Sequence, residues 1–233
     1  MKSERDFTWT SNLAYVVGLI TTDGCLSCQK GKITFTSKDI DLINTFKRIL
    51  KLNNKIGKTI NARSFAYRIQ FCNVKLYWWL LSIGLTPHKS KTIGPIKIPC
   101  RLFIDFLRGH LDGDGCITKY TDTYNTCKNP KYVYERLSIR FVSASERHVQ
   151  WINMRIIKIL KIRGCLHTSK LDTRTGNTMY ILKFGKKNSL KLLEKIYYSP
   201  NLPCLDRKRV LAQQCLTSPL LLPKNSKSPI VRV

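Results

Sequence analysis

The chain has 233 residues, 43% of them hydrophobic, enough for one large domain or two of about 100 residues each. Lys and Arg number 41 against 14 Asp and Glu, a net charge of +27, so the expected partner is a polyanion, nucleic acid before a membrane surface. No apolar run reaches the roughly 18–20 residues of a membrane span, Met1–Thr10 lacks a secretory core, and nine scattered cysteines fit reduced intracellular thiols better than a disulfide framework.

In chain order, Met1–Thr10 reads as a short arm whose end, Trp9-Thr10-Ser11-Asn12, can cap a helix. That helix is the apolar run Leu13–Gly24, which closes on Thr22-Asp23-Gly24. Cys25–Gln29 and Lys30–Ser37 follow as a hairpin turning at Lys30-Gly31, with Lys32, Thr34 and Thr36 on one face and Ile33 and Phe35 on the other. Asp39–Lys51 is an amphipathic helix through Ile40, Ile43, Phe46 and Leu50. Lys55–Ile60 and Phe65–Cys72 form a second hairpin across Asn61–Ser64, with Arg68 and Gln70 opposite Tyr67, Ile69 and Phe71. Asn73–Ile83 is a helix whose tryptophans belong to the core rather than to a base-stacking surface. Gly84–Cys100, with three prolines and three lysines, reads as a linker.

The same order then returns. A helix Arg101–Asp114 leads into a strand Gly115–Tyr120, a polar loop to Tyr134 and a strand Glu135–Ser143. The helix Glu146–Lys161, a hairpin of Cys165–Leu171 with Met179–Phe184, and a helix Ser189–Tyr197 complete it. Matching positions drift apart only in the hairpin loops of the second copy, where insertion is cheapest. The predicted fold is α+β: two pseudo-symmetric αββαββα repeats forming a saddle of two antiparallel sheets, with one motif helix from each packed at the centre. The predicted divisions are an N-terminal repeat 1–84, a linker 85–100, a C-terminal repeat 101–200 and a basic extension 201–233, with a helix at Asp206–Leu216 and a basic tail Lys224–Val233.

Chemistry concentrates at the ends of the two motif helices. Gly18 and Thr22, like Gly109 and Gly113, stand at i, i+4 and so share a helix face along which two backbones can approach. Glycine after Asp is expected to stop each helix in the left-handed conformation. An aspartate at a helix C-terminus faces the negative end of the dipole, and two of them, Asp23 and Asp114, would also repel each other. A divalent cation held by carboxylate oxygens answers both penalties, and Mg²⁺ suits one or two carboxylates plus substrate phosphates. Cys25-x-x-Cys28 has a metal-like spacing but no second pair, and is read as structural. His110 is read as a helix residue outside the close contact.

Val16–Gly24 (VVGLITTDG) and Leu107–Gly115 (LRGHLDGDG) resemble the paired signature of the LAGLIDADG homing endonucleases, in their single-chain, two-motif form. The second copy is the stronger match; the first has Thr21 where an acid is common and Thr22 where Gly or Ala is usual. The resemblance implies a monomeric, intracellular, intron- or intein-encoded enzyme that cuts both strands of a long, partly palindromic DNA site and leaves short 3′ overhangs. It implies Mg²⁺ or Mn²⁺ at Asp23 and Asp114, two or more ions in all, with Ca²⁺ supporting binding only. The backbone carbonyls of Thr22 and Gly113 would help hold the metal. It further implies basic residues near each scissile phosphate: Lys38 and Lys186 match such positions, with Lys75 and Arg147 as further candidates.

Each half then presents a polar sheet face: Lys32, Thr34, Thr36, Arg68 and Gln70 in the first, Arg136, Ser138, Arg140 and Lys183 in the second. These side-chain types read base edges and hold phosphates in a major groove. An ordinary solvated sheet face is the alternative, and the net charge favours DNA. A non-cleaving RNA maturase or DNA-binding regulator of the same fold remains the competing function, with intron RNA as a second partner; the retention of both acids favours the enzyme.

Overall fold

A computed structural model describes residues 7–29, 31–61, 64–124, 127, 130, 133–169 and 178–218. The tail Lys224–Val233, the turn residues Lys30, Ala62 and Arg63, and the end of the predicted strand at Leu171 lie outside them.

The first copy runs α1 (Ser11–Asp23), β1 (Gly24–Leu26), β2 (Lys32–Ser37), α2 (Ile40–Ile49), β3 (Ile56–Asn61), β4 (Ser64–Cys72) and α3 (Val74–Ser82). The second runs α4 (Phe103–Asp112), β5 (Cys116–Asp122), β6 (Tyr134–Ser143), α5 (Glu146–Leu160), β7 (Cys165–Thr168), β8 (Tyr180–Phe184) and α6 (Lys186–Ile196), followed by α7 (Asp206–Thr217). The sheets have the same strand order, β1-β2-β4-β3 and β5-β6-β8-β7, and every pairing is antiparallel. The predicted α+β architecture of two repeats is therefore the observed one.

Local chemistry sets the element starts. Thr10 caps α1 by accepting from Leu13 N at 3.1 Å, and Asn73 and Ser145 do the same for α3 and α5. One start differs from expectation. Helix α6 opens at Lys186, three residues before Ser189, because Gly185 takes the extended capping position. Ser189 turns inward instead, donating to Phe184 O (3.0 Å) and accepting from Ile139 N (3.1 Å).

Alternation in the strands sends one face inward. Ile33, Phe35, Ile69 and Phe71 pack on α2, where Phe35 stacks on Phe46 at 4.4 Å between ring centroids. Ile139, Phe141, Leu182 and Phe184 pack likewise under α5, with Trp151 set edge-on to Phe103 and Phe106. The stretch read as a linker also packs inward: Leu85, Ile93, Ile96 and Ile98 are buried in the same core.

The two halves meet where α1 crosses α4. A Cβ added to Gly18 would lie 2.2 Å from Phe106 O, and one added to Gly109 would lie 2.1 Å from Tyr15 O, so the backbones touch. The left-handed helix stops do not occur. Gly24 is extended at φ −87°, and Gly113 caps α4 at φ −71°. Glycine is needed after each acid for a different reason: the chain folds back so tightly that a Cβ on Gly24 or Gly115 would sit 2.6 Å from Ile20 Cα or Leu111 Cα.

Candidate active site

The crossing sets the C-terminal ends of α1 and α4 side by side. Thr22 Oγ1 and Asp23 Oδ2 come within 2.0 and 2.8 Å of the point where a Cβ on Gly113 would stand. Asp23 is the last residue of α1, while Asp114 lies two residues beyond α4, so the two acids enter the site from slightly different backbone positions. Burial and repulsion from Asp114 push the Asp23 carboxyl up to about 7. Burial among the helix ends also raises Asp114, although its side chain reaches solvent.

Two lysines oppose this negative cluster, one from each half. Lys89 is 7% exposed and donates to Gly24 O, the carbonyl directly after Asp23. Lys208 is 6% exposed and donates to Leu111 O (2.5 Å), Asp112 O (2.9 Å) and Gly115 O (2.8 Å), with Gly113 O at 3.4 Å. An ammonium at a helix C-terminus meets the carbonyls left without intrahelical partners and the negative end of the dipole. Burial lowers both lysine pKa values, and the neighbouring aspartates oppose that fall. Both lysines in turn lower Asp23 and Asp114. A groove beside the second acid is lined by Gly113, Gly115, Cys116, Arg207 and Lys208.

Sequence reasoning passed over these lysines, since one lies in the supposed linker and the other in the supposed extension. A signal was present. Each follows a proline placed soon after a half's closing helix, in Leu85-Thr86-Pro87-His88-Lys89 and in Leu202-Pro203-Cys204-Leu205-Asp206-Arg207-Lys208.

Beneath the acids lies a buried platform. Asp112 accepts from Tyr15 Oη (2.9 Å), Leu205 N (2.8 Å) and Tyr197 Oη (3.4 Å), and burial pushes its carboxyl up to about 6. Arg108, fully buried, pairs with Asp105 at 2.8 Å and donates to Pro203 O and Ile196 O. Tyr15 comes from the first half and the 203–205 stretch from the chain's end, so the platform ties both to α4. In the first copy Thr21 needs no such partner, since its hydroxyl donates to Val17 O at 2.7 Å.

The predicted sheet residues do share faces. Thr34 stands opposite Gln70 and Thr36 opposite Arg68, and Arg68 Nη2 donates to Gln70 Oε1 at 2.7 Å. Arg140 lies between Cys116 and Lys183, Thr118 faces Ser138, and Arg136 is held by Asp122 at 2.8 Å. Lys32 lies on the same face, opposite Cys72. The other cations are elsewhere. Lys38 is exposed between β2 and α2, Lys75 lies in the first turn of α3 and Lys186 opens α6. Arg147 sits in the first turn of α5, against Gly94. His110 is buried with its ring stacked on His148, pointing away from the crossing.

The residues at the helix ends fit a hard divalent cation. Two carboxylates with raised pKa values stand beside helix-end carbonyls, which is an all-oxygen donor set. Among the described residues no three His, Cys, Asp or Glu side chains gather as a metal-holding group. Carbonyls, water and phosphate oxygens would therefore supply the rest of the coordination.

Known proteins carry the comparison further. Residues 10–83 match the family model of the LAGLIDADG-like domain, the copy that holds Thr21 and Thr22. No curated protein matches by sequence. By structure the chain is similar to the homing endonuclease I-DmoI in complex with DNA and Mn, at 20% identity over 81% of this chain and 97% of that one, with a TM-score of 0.53. It is similar to the homing endonuclease I-WcaI bound to its DNA recognition sequence, at 14% identity over 88% of each chain, with a TM-score of 0.57. It is also similar to full-length DUF199/WhiA from Thermatoga maritima, at 16% identity over 90% of this chain and 63% of that one, with a TM-score of 0.53. No helix among the described residues is long and apolar enough to cross a membrane. Residues 10–83 thus match the LAGLIDADG-like domain, and the chain as a whole has the two-repeat LAGLIDADG fold seen in the homing endonucleases I-DmoI and I-WcaI.

Proposed function

We propose that the chain is a site-specific endonuclease that hydrolyses both strands of a long DNA duplex with divalent metal. The observation that carries this reading is the acid pair. Asp23 and Asp114 stand together at two apposed helix ends, with Asp23 pushed up to about 7 and a buried lysine from each half beside the pair. Such an arrangement is a poor way to stabilise a fold and a good way to await cations and a phosphate.

The two basic sheet faces bind the duplex, Arg68, Gln70, Arg136, Ser138 and Arg140 facing base edges and Lys32 and Lys183 the phosphates. Asp23 and Asp114 hold the metal, together with the Thr22 and Gly113 carbonyls. A bound Mg²⁺ or Mn²⁺ would generate a hydroxide nucleophile from water and offset charge on the phosphate. Lys89 and Lys208 fix positive charge next to the acids, where buried ammoniums offset through space the negative charge that develops in hydrolysis. Lys38, Lys186 and Arg147, which lie away from the acid pair, would serve as contacts to flanking phosphates.

A second reading, DNA binding without cutting, draws on the likeness to DUF199/WhiA, equal in TM-score to that with I-DmoI bound to DNA and Mn. One experiment separates them. The protein is incubated with a randomised duplex library in Mg²⁺, in Ca²⁺ and as the double variant Asp23→Asn, Asp114→Asn. Enrichment of one long cut site in Mg²⁺ only, abolished in the variant, supports the nuclease. A sequence bound in both salts and cut in neither sinks it and leaves the binding protein.

A further inference from the structure

Lys89 is reached through a neighbour that the nuclease reading does not use. His88 is exposed, has a left-handed backbone at φ 51°, and places its Nε2 3.3 Å from Cys28 Sγ. Cys28 itself is exposed at the bend between β1 and β2. The bend is held from below, since Ser27 O accepts from Tyr77 Oη at 2.8 Å and Ser27 N donates to Lys32 O at 3.0 Å. The loop bearing His88 closes as a tight turn in which Lys89 O accepts from Thr92 N (3.0 Å) and Ile93 N (2.8 Å). Two anchored loops therefore meet at one solvent-facing contact, a thiol against an imidazole. The residue after that imidazole is the ammonium that crosses to Gly24 O.

A thiol within hydrogen-bond reach of an imidazole is the arrangement of an activated nucleophile, because the ring can take the thiol proton. Of the nine cysteines this is the one the structure pairs with a histidine nitrogen; six are exposed, so accessibility alone does not distinguish it.

We propose that Cys28 and His88 form a thiol–imidazole modification site for low-molecular-weight disulfides, and that its occupancy releases Lys89 from the end of α1. Cys28 gives its proton to His88, and the thiolate attacks one sulfur of the disulfide. A Cys28–sulfur bond forms, the reagent's sulfur–sulfur bond breaks, and the departing thiolate takes a proton from the imidazolium. The added group fills the space that His88 occupies against Sγ. In this proposal His88 swings out, and because its backbone already stands at a left-handed φ, the turn opens with it and carries Lys89 away from Gly24 O. The consequence for cutting rests on the nuclease reading above; the chemistry and the movement of Lys89 do not.

The test uses the full chain and oxidised glutathione, with modification at each cysteine followed by mass spectrometry. Cys28 is expected to react about tenfold faster than Cys100 or Cys165 near neutral pH. His88→Asn, which tolerates the left-handed backbone but lacks the ring base, is expected to bring Cys28 down to their rate. Lys89 is read separately, by acetylation with an activated ester. It should be protected in the reduced protein, reactive once Cys28 carries glutathione, and protected again after dithiothreitol. Equal rates at all exposed thiols, or a His88→Asn variant with unchanged Cys28 chemistry, overturn the site. A modified protein whose Lys89 stays protected overturns its link to the helix end. Neither readout needs DNA cleavage, so failure of the nuclease reading would show separately, as a protein that carries out this chemistry and cuts nothing.

Discussion

Asp23 is the residue at which folding and the proposed chemistry conflict most directly. Its carboxyl rises from an ordinary 3.8 to about 7, first through burial and then through Asp114. An acid whose folded pKa stands above its unfolded one contributes stability that is fully present below about pH 4 and lost as pH rises through about 7. Asp23→Asn is therefore expected to stabilise the metal-free protein at pH 8 by on the order of 1–2 kcal/mol, allowing for solvent at the site, and to raise Tm by about 2–6 °C. The gain should shrink toward pH 5, as calorimetry at the two pH values would show; a variant that melts earlier at pH 8 would mean that the acid is satisfied without metal. Lys89 and Lys208 make the complementary case. If each serves one centre, Lys89→Met and Lys208→Met should slow opposite strands, by roughly 10²-fold each, as read on a duplex with differently labelled strands. Equal slowing of both strands by either variant would show that the lysines act on the pair as a unit. The proline before Lys208 marks its place in the sequence but not its role, because its partners are backbone carbonyls at the end of α4 and just beyond it, and a carbonyl leaves no mark on composition or spacing. Asp23 and Asp114 were legible because their misfit with the helix dipole is a property of position alone.

At the scale of elements, α1 and α4 carry the molecule. Their contact is backbone on backbone at Gly18 and Gly109, and Thr22 closes it against Gly113. The small-residue spacing foretold this face. It did not foretell that a β-branched residue could sit there, which works because Thr22 turns its hydroxyl back to Leu19 O at 3.0 Å. Gly113→Ala would drive a methyl into that hydroxyl and should cost about 1–3 kcal/mol. Thr22→Gly should recover part of the loss in the double variant, a coupling that urea midpoints would reveal; simple additivity would mean that the helices slide to relieve the strain. The strands were equally legible, since alternation fixes both the face and, through the pairing, the neighbours Thr34 with Gln70 and Thr36 with Arg68. The expected left-handed helix stops do not occur, for a local reason. Asp-Gly resembles a left-handed cap in sequence, whereas the requirement is clearance over Ile20 and Leu111.

Across the whole molecule, the repeats are alike in path and unlike in dependence. The stretch Pro203–Leu205 and helix α7 are wired into α4 through Arg108, Asp112 and Lys208, and Arg207 reaches across to Asp39 of the first half with contacts of 3.0 and 2.9 Å. A segment that reads as a basic extension is thus structural. Removing residues 201 onward would leave the buried Asp112 and Arg108 short of partners, each a defect of about 1–3 kcal/mol or more. Such a truncation is expected to be insoluble or to lose its cooperative melt; a truncation that still melts as one unit near the parent Tm would refute this account.

The hydrogen bond from Tyr15 to Asp112 joins the halves in one direction only. At the matching positions the second motif helix has Phe106 in place of Tyr15, and the first has Thr21 in place of Asp112. Two second halves brought together would bury an aspartate against a ring with no hydroxyl, and two first halves would bury a phenol against a threonine already bonded within its own helix. Only the mixed pair satisfies both. Produced as separate polypeptides, the halves should ignore their own kind and recombine one to one, so that the molecule behaves as a heterodimer that happens to be written in a single chain.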